Sequence, residues 1–310
     1  MQILHSIAEL ASLPGPVFLA IGVFDGVHLG HKAVIQRAAS DARSTNGTAV
    51  VVTFNPHPMR HLHPGKAPRL ITSTQHKTKL IKSLGVSHLL VIQFDAAFAE
   101  TTPEQFIQAL AEACKPLREI CVGHQWSFGK ERRGNLEMLK HWGKKLGFEE
   151  VGIPAVKMND QVVSSTLIRS AVETGDFKTA SALLGREFSV LGTVVEGEQL
   201  GRKLGFPTAN LRAHNEQFPP DGVYAVEALH HEKKYRGVVN IGIRPTLAER
   251  EGQRLLEIHL FDFQKNIYGE DIEVFFRQYL RNEQKFSSLD ELKAQIAKDC
   301  EAASNINSDD

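Results

Sequence analysis

The sequence predicts an α/β chain of two modules. A doubly wound parallel sheet occupies residues 1–185, and an antiparallel β-barrel ending in a helix occupies residues 186–310. Three observations carry that prediction. Short apolar runs alternate with helical patterns as far as Leu184-Gly185, the pattern of βαβ units around a parallel sheet. Beyond that point five strand-like runs follow one another between Gly, Pro and charged turns; consecutive strands pair antiparallel, and barrel closure removes their exposed edges. A chain of 310 residues also gives each half enough length for its own core.

In chain order, Val17–Phe24 reads as a buried strand and residues 30–45 as a helix. Val50–Phe54 is the second strand, Gln75–Leu84 a helix, and His88–Ile92 the third strand. Pro103–Cys114 is helical, Ile120–Val122 extended, and Leu136–Leu146 helical again. Right-handed crossovers then put the site at the C-terminal ends of the strands. In the second half the strands are Val190–Glu196, Val223–Ala228, Tyr235–Ile241, Leu255–Phe261 and Ile272–Tyr279. The final helix, Leu289–Ala297, opens on Ser288-x-x-Glu291, the pattern of a capping box.

Composition narrows the function. With 42% hydrophobic and 23% charged residues the chain can build real cores, which excludes wholesale disorder. Lys plus Arg (36) balances Asp plus Glu (36), so nucleic acid and anionic membrane are not expected partners. Three cysteines without CxxC spacing argue for a reducing, cytoplasmic compartment. No apolar run approaches the roughly 20 residues that span a bilayer.

Chemistry concentrates in two places. The first is Gly22-x-Phe24-Asp25-Gly26-x-His28-x-Gly30-His31, between a strand and a helix. A helix N-terminus offers unpaired N–H groups and positive potential, and two histidines three apart can converge on one oxyanion. Such a set suits a phosphate chain whose charge grows as pyrophosphate leaves. Ser164, Ser165, Thr166 and Arg169, at the start of a later helix, read as a second phosphate clamp. Asn55 follows the second strand. The nearby His57, His61 and His63 lack a carboxylate or thiolate companion and read as loop histidines rather than metal ligands.

The second place is Gly201-Arg202-x-Leu204-Gly205-Phe206-Pro207-Thr208-Ala209-Asn210. Thr208 and Asn210, two apart in an extended segment, point to one side and are hard oxygen ligands suited to Mg²⁺. In the run Leu255–Phe261 the aliphatic residues 256, 258 and 260 share one face, leaving Glu257 on the other as a candidate general base.

The first string resembles the HxGH signature of the nucleotidylyltransferase superfamily. The second, with Pro220-x-Gly222-Val223-Tyr224, Asn240-Ile241-Gly242-x-Arg244-Pro245-Thr246 and Tyr279-Leu280-Arg281-x-Glu283, is similar to the riboflavin kinase module. In that order, over nearly the whole chain, they resemble the bacterial bifunctional riboflavin kinase/FAD synthetase family. The resemblance implies an FMN adenylyltransferase domain over 1–185 and a riboflavin kinase domain over 186–310, with riboflavin, FMN, FAD and ATP as ligands and Mg²⁺ as the metal. It implies that Thr208 and Asn210 hold Mg²⁺ and phosphate and that Glu257 takes the hydroxyl proton. Gly201, Lys203, Gly205, Pro207, Arg277 and Arg281 would contact ATP or flavin. His28, His31, Ser164, Ser165, Thr166 and Arg169 would steady the ATP of the second reaction, while Asn55 and the Gly22, Phe24, Asp25, Gly26 and Gly30 turn line the nucleotide site. Trp126, Phe128 and Arg132 form the flavin-side loop, where His124-Gln125-Trp126 departs from the family pattern. An alternative keeps the kinase and makes the first domain a nucleotide-binding module without catalysis. A homo-oligomer is compatible with the sequence, which does not specify one.

Overall fold

The computed structural model describes residues 1–197, 201, 204–242 and 255–306. Arg202, Lys203, and Arg244-Pro245-Thr246 lie outside the described residues. The chain divides into two compact units. The first comprises Met1–Arg69 and Thr74–Ser165, the second Leu70–Ser73 and Thr166–Asp310.

In the first unit the strands are β1 (Gln2–Leu4), β2 (Val17–Ile21), β3 (Thr48–Asn55), β4 (His88–Gln93), β5 (Leu117–Gly123) and β6 (Glu149–Ile153), with a small ribbon, β7 (Lys157–Met158) and β8 (Gln161–Val162). The helices are α1 (Leu29–Ser44), α2 (Pro58–Leu62), α3 (Thr74–Ser83), α4 (Ala96–Ala99), α5 (Pro103–Ala113) and α6 (Leu136–Leu146). The main sheet is parallel throughout, in the order β1-β4-β3-β2-β5-β6. Strand order reverses around β2, which has β3 on one side and β5 on the other. That reversal is where a doubly wound sheet opens a crevice. Alternate residues of each strand feed two cores. Leu19, Ile21, Val50 and Val52 pack with Ile107, Leu110 and Leu139 of α5 and α6, while Phe18, Ala20, Val51 and Leu89 pack with Val34, Ile35, Ala38 and Ile81 of α1 and α3. Helices therefore cover both faces.

Two differences from the expected elements have plain causes. The strand expected over Val17–Phe24 stops at Ile21, because Phe24 and Gly26 take positive φ values of 52° and 85° and turn the chain. Strands β1 and β6 were not expected, since three and five residues are too few to show a period.

The second unit holds α7 (Ser165–Glu173), whose first residue falls in the first unit, and α8 (Phe177–Leu184). Then come β9 (Ser189–Val195), β10 (Ala209–Ala213), β11 (Gly222–His230), β12 (Lys233–Gly242), β13 (Leu255–Leu260), β14 (Asp271–Arg281) and α9 (Leu289–Ser304). The six strands close as β10-β13-β12-β11-β14-β9, antiparallel at every join. Leu256, Ile258 and Leu260 are buried, as the alternation of that run requires. The units part at Ser165/Thr166, ahead of the texture change at residue 186, because α8 packs with the barrel. Phe177 stacks near Phe276 (ring centroids 5.5 Å) and Phe188 (6.2 Å), with Tyr224 edge-on at 5.8 Å. Helix α9 runs past Ala297 because its one buried acid, Asp299, is paired with Arg281 at 2.8 Å. At its N-terminus Ser288 Oγ accepts from Glu291 N at 3.2 Å, but the Glu291 carboxylate reaches Ser287 instead of completing the box on Ser288.

Candidate active sites

In the first unit the chain leaves β2 in the middle of the sheet and turns through Gly22–Val27 into α1. His28 caps that helix, its Nδ1 accepting from His31 N at 3.3 Å. A neutral ring that accepts at Nδ1 carries its proton on Nε2. The His28 and His31 rings stack at 3.5 Å and 19°, and Phe24 meets His31 edge-on at 5.3 Å. Gly30 permits this: a Cβ there would stand 3.1 Å from the His28 ring. No acidic residue occupies the first turn of α1, so the helix dipole faces the turn unopposed there. Ser165 Oγ donates to Asp25 O at 2.9 Å and ties the second motif to the turn. Asn55 ends β3 and accepts from Thr74 Oγ1 at 3.1 Å. Thr166 is exposed and Arg169 half-buried one turn into α7; both are counted with the second unit.

Beside these lies an aromatic cavity of about 800 Å³. Trp126 and Phe128 stack at 4.4 Å and 12° on its wall, so the ring that Trp126 meets is Phe128. Phe54, Phe94, Phe98 and Phe106 continue the lining through edge contacts of 5.6–6.0 Å, and Phe106 meets Phe128 in a tilted contact at 6.0 Å. Gly129 (φ 70°) and Gly134 let the loop close, since a Cβ at 134 would sit 2.7 Å from the Phe128 ring. Arg132 Nε donates to Ser127 Oγ at 2.8 Å, and its residue lines the same cavity. His57 and His61 line it as well: His57 Nδ1 accepts from Met59 N at 3.1 Å, and the His61 ring faces Phe94 at 6.4 Å.

In the barrel, register builds the site. Glu257 on β13 lies opposite Asn210 on β10 and opposite Asn240 on β12. Directly opposed residues share a face, so the carboxylate stands between two amides. All three line a cavity of about 340 Å³ with Gly201, Thr208, His259 and Arg281. Asn210 is 6% exposed, and its Oδ1 and that of Asn240 are buried without a hydrogen-bond partner among the described residues. Gly197 makes room for Asn210, because a Cβ there would fall on the amide. Thr208 also lines a second cavity, of about 540 Å³, with Pro207, Ile258, Leu260 and Phe263. The approach is braced at both ends. His259 Nδ1 lies 2.8 Å from Pro207 O, and Phe206 N donates to Gly201 O at 2.8 Å around Gly205 (φ 90°).

Arg277 stands apart from both barrel cavities. It faces outward on β14, paired with Glu187 and with Glu227 (2.6 Å), and burial holds its guanidinium below the usual pKa. Ile272, Val274 and Phe276 take the inward places of that strand, so residue 277 falls on the opposite face. Arg281 does line the smaller cavity, but Asp299 and Asn282 O hold its guanidinium as a strut to α9. Sequence reasoning missed Asn240 as a site residue, although it stands in a quoted motif. It also missed the four phenylalanines of the first cavity, whose separation along the chain left no local signal.

The chain matches the family model for FAD synthetase over residues 11–167 and that for riboflavin kinase over residues 184–307. It is 39% identical over 301 residues to the bifunctional riboflavin kinase/FMN adenylyltransferase of Escherichia coli (strain K12), covering 96% of both chains. The protein of that name in Bacillus subtilis (strain 168) is 38% identical over 289 residues, with 92% of this chain and 90% of that one covered. A crystal structure titled as a macrolide-efflux protein from Streptococcus pneumoniae superposes with a TM-score of 0.80 at 31% identity, over 96% of this chain and 97% of the other. Among the described residues no helix is long and apolar enough to cross a membrane. The HxGH turn in the first unit, the Thr208/Asn210/Glu257 barrel in the second, and both family models in that order lead to one conclusion: the chain belongs to the bifunctional riboflavin kinase/FMN adenylyltransferase family.

Proposed function

We propose that this chain phosphorylates riboflavin to FMN in the barrel and adenylylates FMN to FAD at the HxGH turn, each step consuming ATP. One observation carries the kinase assignment. Glu257 stands between Asn210 and Asn240, whose buried amide oxygens have no hydrogen-bond partner among the described residues. Burying such atoms is costly unless a ligand completes them.

The two barrel cavities share Thr208. ATP fits the larger one beside Ile258, Leu260 and Phe263, whose lining also includes Gln264, Lys265 and Asn266, and the flavin's ribityl end fits the smaller one beside Glu257. Thr208 and Asn210 would hold Mg²⁺. They fit it as hard oxygen donors, one of them unsatisfied, and the bound cation would neutralise phosphate charge. Glu257 accepts the proton of the riboflavin 5′-hydroxyl while that oxygen bonds to the γ-phosphorus and ADP departs. In the first unit the isoalloxazine ring fits the aromatic cavity against Trp126 and Phe128. An FMN phosphate oxygen attacks the α-phosphorus of ATP and pyrophosphate leaves. The nucleophile is already ionised, so His28, His31, Ser165 and the N-terminus of α1 act by positioning and by stabilising charge. Thr166 and Arg169 join them on the strength of the sequence motif. The two activities are assigned to residues 1–185 and 186–310, with α8 serving as a packing element of the barrel. The cytoplasmic setting accords with three cysteines that are all free thiols.

The test is metal-stripped full-length protein given riboflavin and ATP, with flavins separated over time. Adding Mg²⁺ should produce FMN first and FAD after it. Metal-independent product would remove Thr208 and Asn210 from their assigned role. FMN that never becomes FAD would favour a first domain without catalysis.

A further inference from the structure

The turn between β2 and α1 is strained. Phe24, Gly26 and Val27 have φ values of 52°, 85° and 41°, and a β-branched residue at positive φ is a marked outlier. Such backbone persists only where its surroundings over-determine it. Ser165 holds the turn from one side at Asp25 O. From beneath, the support is Lys77 of α3, 6% exposed. Its Nζ donates to Val23 O at 2.7 Å and to Thr53 Oγ1 at 3.3 Å, and the Thr53 hydroxyl donates to the same carbonyl at 3.0 Å. These groups close a triangle under the first residues of the turn.

Lys77 is a cation held by neutral partners. The turn contributes the Val23 carbonyl and β3 the Thr53 hydroxyl. Asp25, also on the turn, is the charged group facing the ammonium, and it acts through space rather than by contact. Burial lowers the Lys77 pKa to about 8, with Asp25 opposing the shift. Sealing an ammonium in a core is unfavourable unless its charge is used. An apolar side chain of similar length would fill the space without that cost.

We propose that Lys77 is a positioning residue for adenylylation: its ammonium fixes the Val23 carbonyl, so keeping the Gly22–Val27 turn in shape, and adds positive potential behind the ATP phosphates received there. The proposal rests on the assignment of that turn to ATP phosphate.

The experiment uses the full-length protein and follows FMN→FAD and riboflavin→FMN in parallel, the second reaction reporting on folding. Lys77→Met should lower kcat for FAD formation by roughly 10–100-fold, the scale of a displaced binding group. FMN formation should stay within about twofold, since its site is elsewhere. The ammonium is charged below its pKa and neutral above it. Wild-type FAD formation should therefore fall as pH rises through about 8, and the Lys77→Met profile should lack that limb. Equal FAD formation by wild type and Lys77→Met would overturn the proposal. If Lys77→Met lost both activities, Lys77→Ala assayed with added propylammonium decides. Recovery of FAD formation supports the role, and no recovery overturns it. A His28→Ala/His31→Ala variant is run alongside: were it to keep wild-type FAD formation, the phosphate assignment itself would fall and the Lys77 proposal with it.

Discussion

Replacing Glu257 by Gln separates the chemistry of the kinase site from its stability. The change keeps the shape of the side chain and removes its proton acceptor. In the barrel the residue lies opposite Asn210 and Asn240, each with an amide oxygen that is buried and has no hydrogen-bond partner among the described residues. Directly opposed side chains have Cβ atoms roughly 4.5–5.5 Å apart, near enough for a new amide N–H to donate to the Asn240 oxygen while that of Asn210 stays with the metal. One such bond is worth about 1 kcal/mol. The variant should therefore melt no earlier than wild type, and at a slightly higher temperature. Loss of the general base should slow phosphorylation by roughly 10²–10⁴-fold, or about 2.7–5.4 kcal/mol in the barrier. The assay pairs initial rates of FMN formation at saturating riboflavin and MgATP with a thermal melt and an ATP-binding titration. ATP affinity should be retained, because the oxygens assigned to the metal belong to Thr208 and Asn210. Turnover within about threefold of wild type would refute the assignment and leave the hydroxyl to be deprotonated by water or by the transferring phosphate.

Other consequences follow from packing and burial. Phe177→Ala empties a place among Phe188, Tyr224 and Phe276, so the kinase should lose about 3–5 kcal/mol in denaturant unfolding. A fragment of residues 166–310 should accordingly be more stable than one of 186–310. Gly134→Ala would press a methyl group onto the Phe128 ring; the Michaelis constant for FMN in FAD formation should rise, and riboflavin phosphorylation should not change. The Glu119 carboxyl, accepting from Cys121 Sγ at 2.9 Å, has its pKa raised by burial. A raised carboxyl pKa means the folded state binds the proton more tightly, so stability is lost as pH rises through the unfolded and then the folded pKa. Glu119→Gln should thus raise the melting temperature at neutral and alkaline pH, with the gain shrinking in acid. An equal gain at every pH would count against burial of the charge as its cause.

Much of this was legible because each module states its chemistry locally. The alternation of apolar runs and helical patterns identifies the sheet, and Gly22–His31 places two histidines on one helical turn with no long-range information. In Leu255–Phe261 the period of two alone puts Glu257 away from the core. What stayed hidden depends on pairing between distant segments. Asn240 matters because β12 lies beside β13 in one particular register, which a motif cannot show. Phe94 and Phe98 join Phe54 and Phe128 only once β4 lies beside β3 and the loop after β5 closes. Lys77 occupies a polar-looking helix, where lysine ordinarily reaches solvent, and only the stacking of α3 beneath the turn turns it inward. Arg277 shows the converse: the sequence offers it as a contact for ATP or flavin, and only the register reveals that Glu187 and Glu227 pair with it while Ile272, Val274 and Phe276 fill the strand's inward places. Helix α8 sits on the N-terminal side of the change in texture and still belongs with the barrel through Phe177.

The central claim is that two separate sites perform two successive reactions. The measurement that tests it most directly is a time course of flavins from riboflavin and MgATP, run with wild type, with His28→Ala/His31→Ala, and with Glu257→Gln. Removing a donor aimed at developing charge costs roughly 2.7–4 kcal/mol, so the double histidine variant should accumulate FMN at the wild-type rate and make almost no FAD. Glu257→Gln should make little FMN from riboflavin, yet convert supplied FMN to FAD at the wild-type rate. Folded variants that each lost both reactions together would contradict the two-site account.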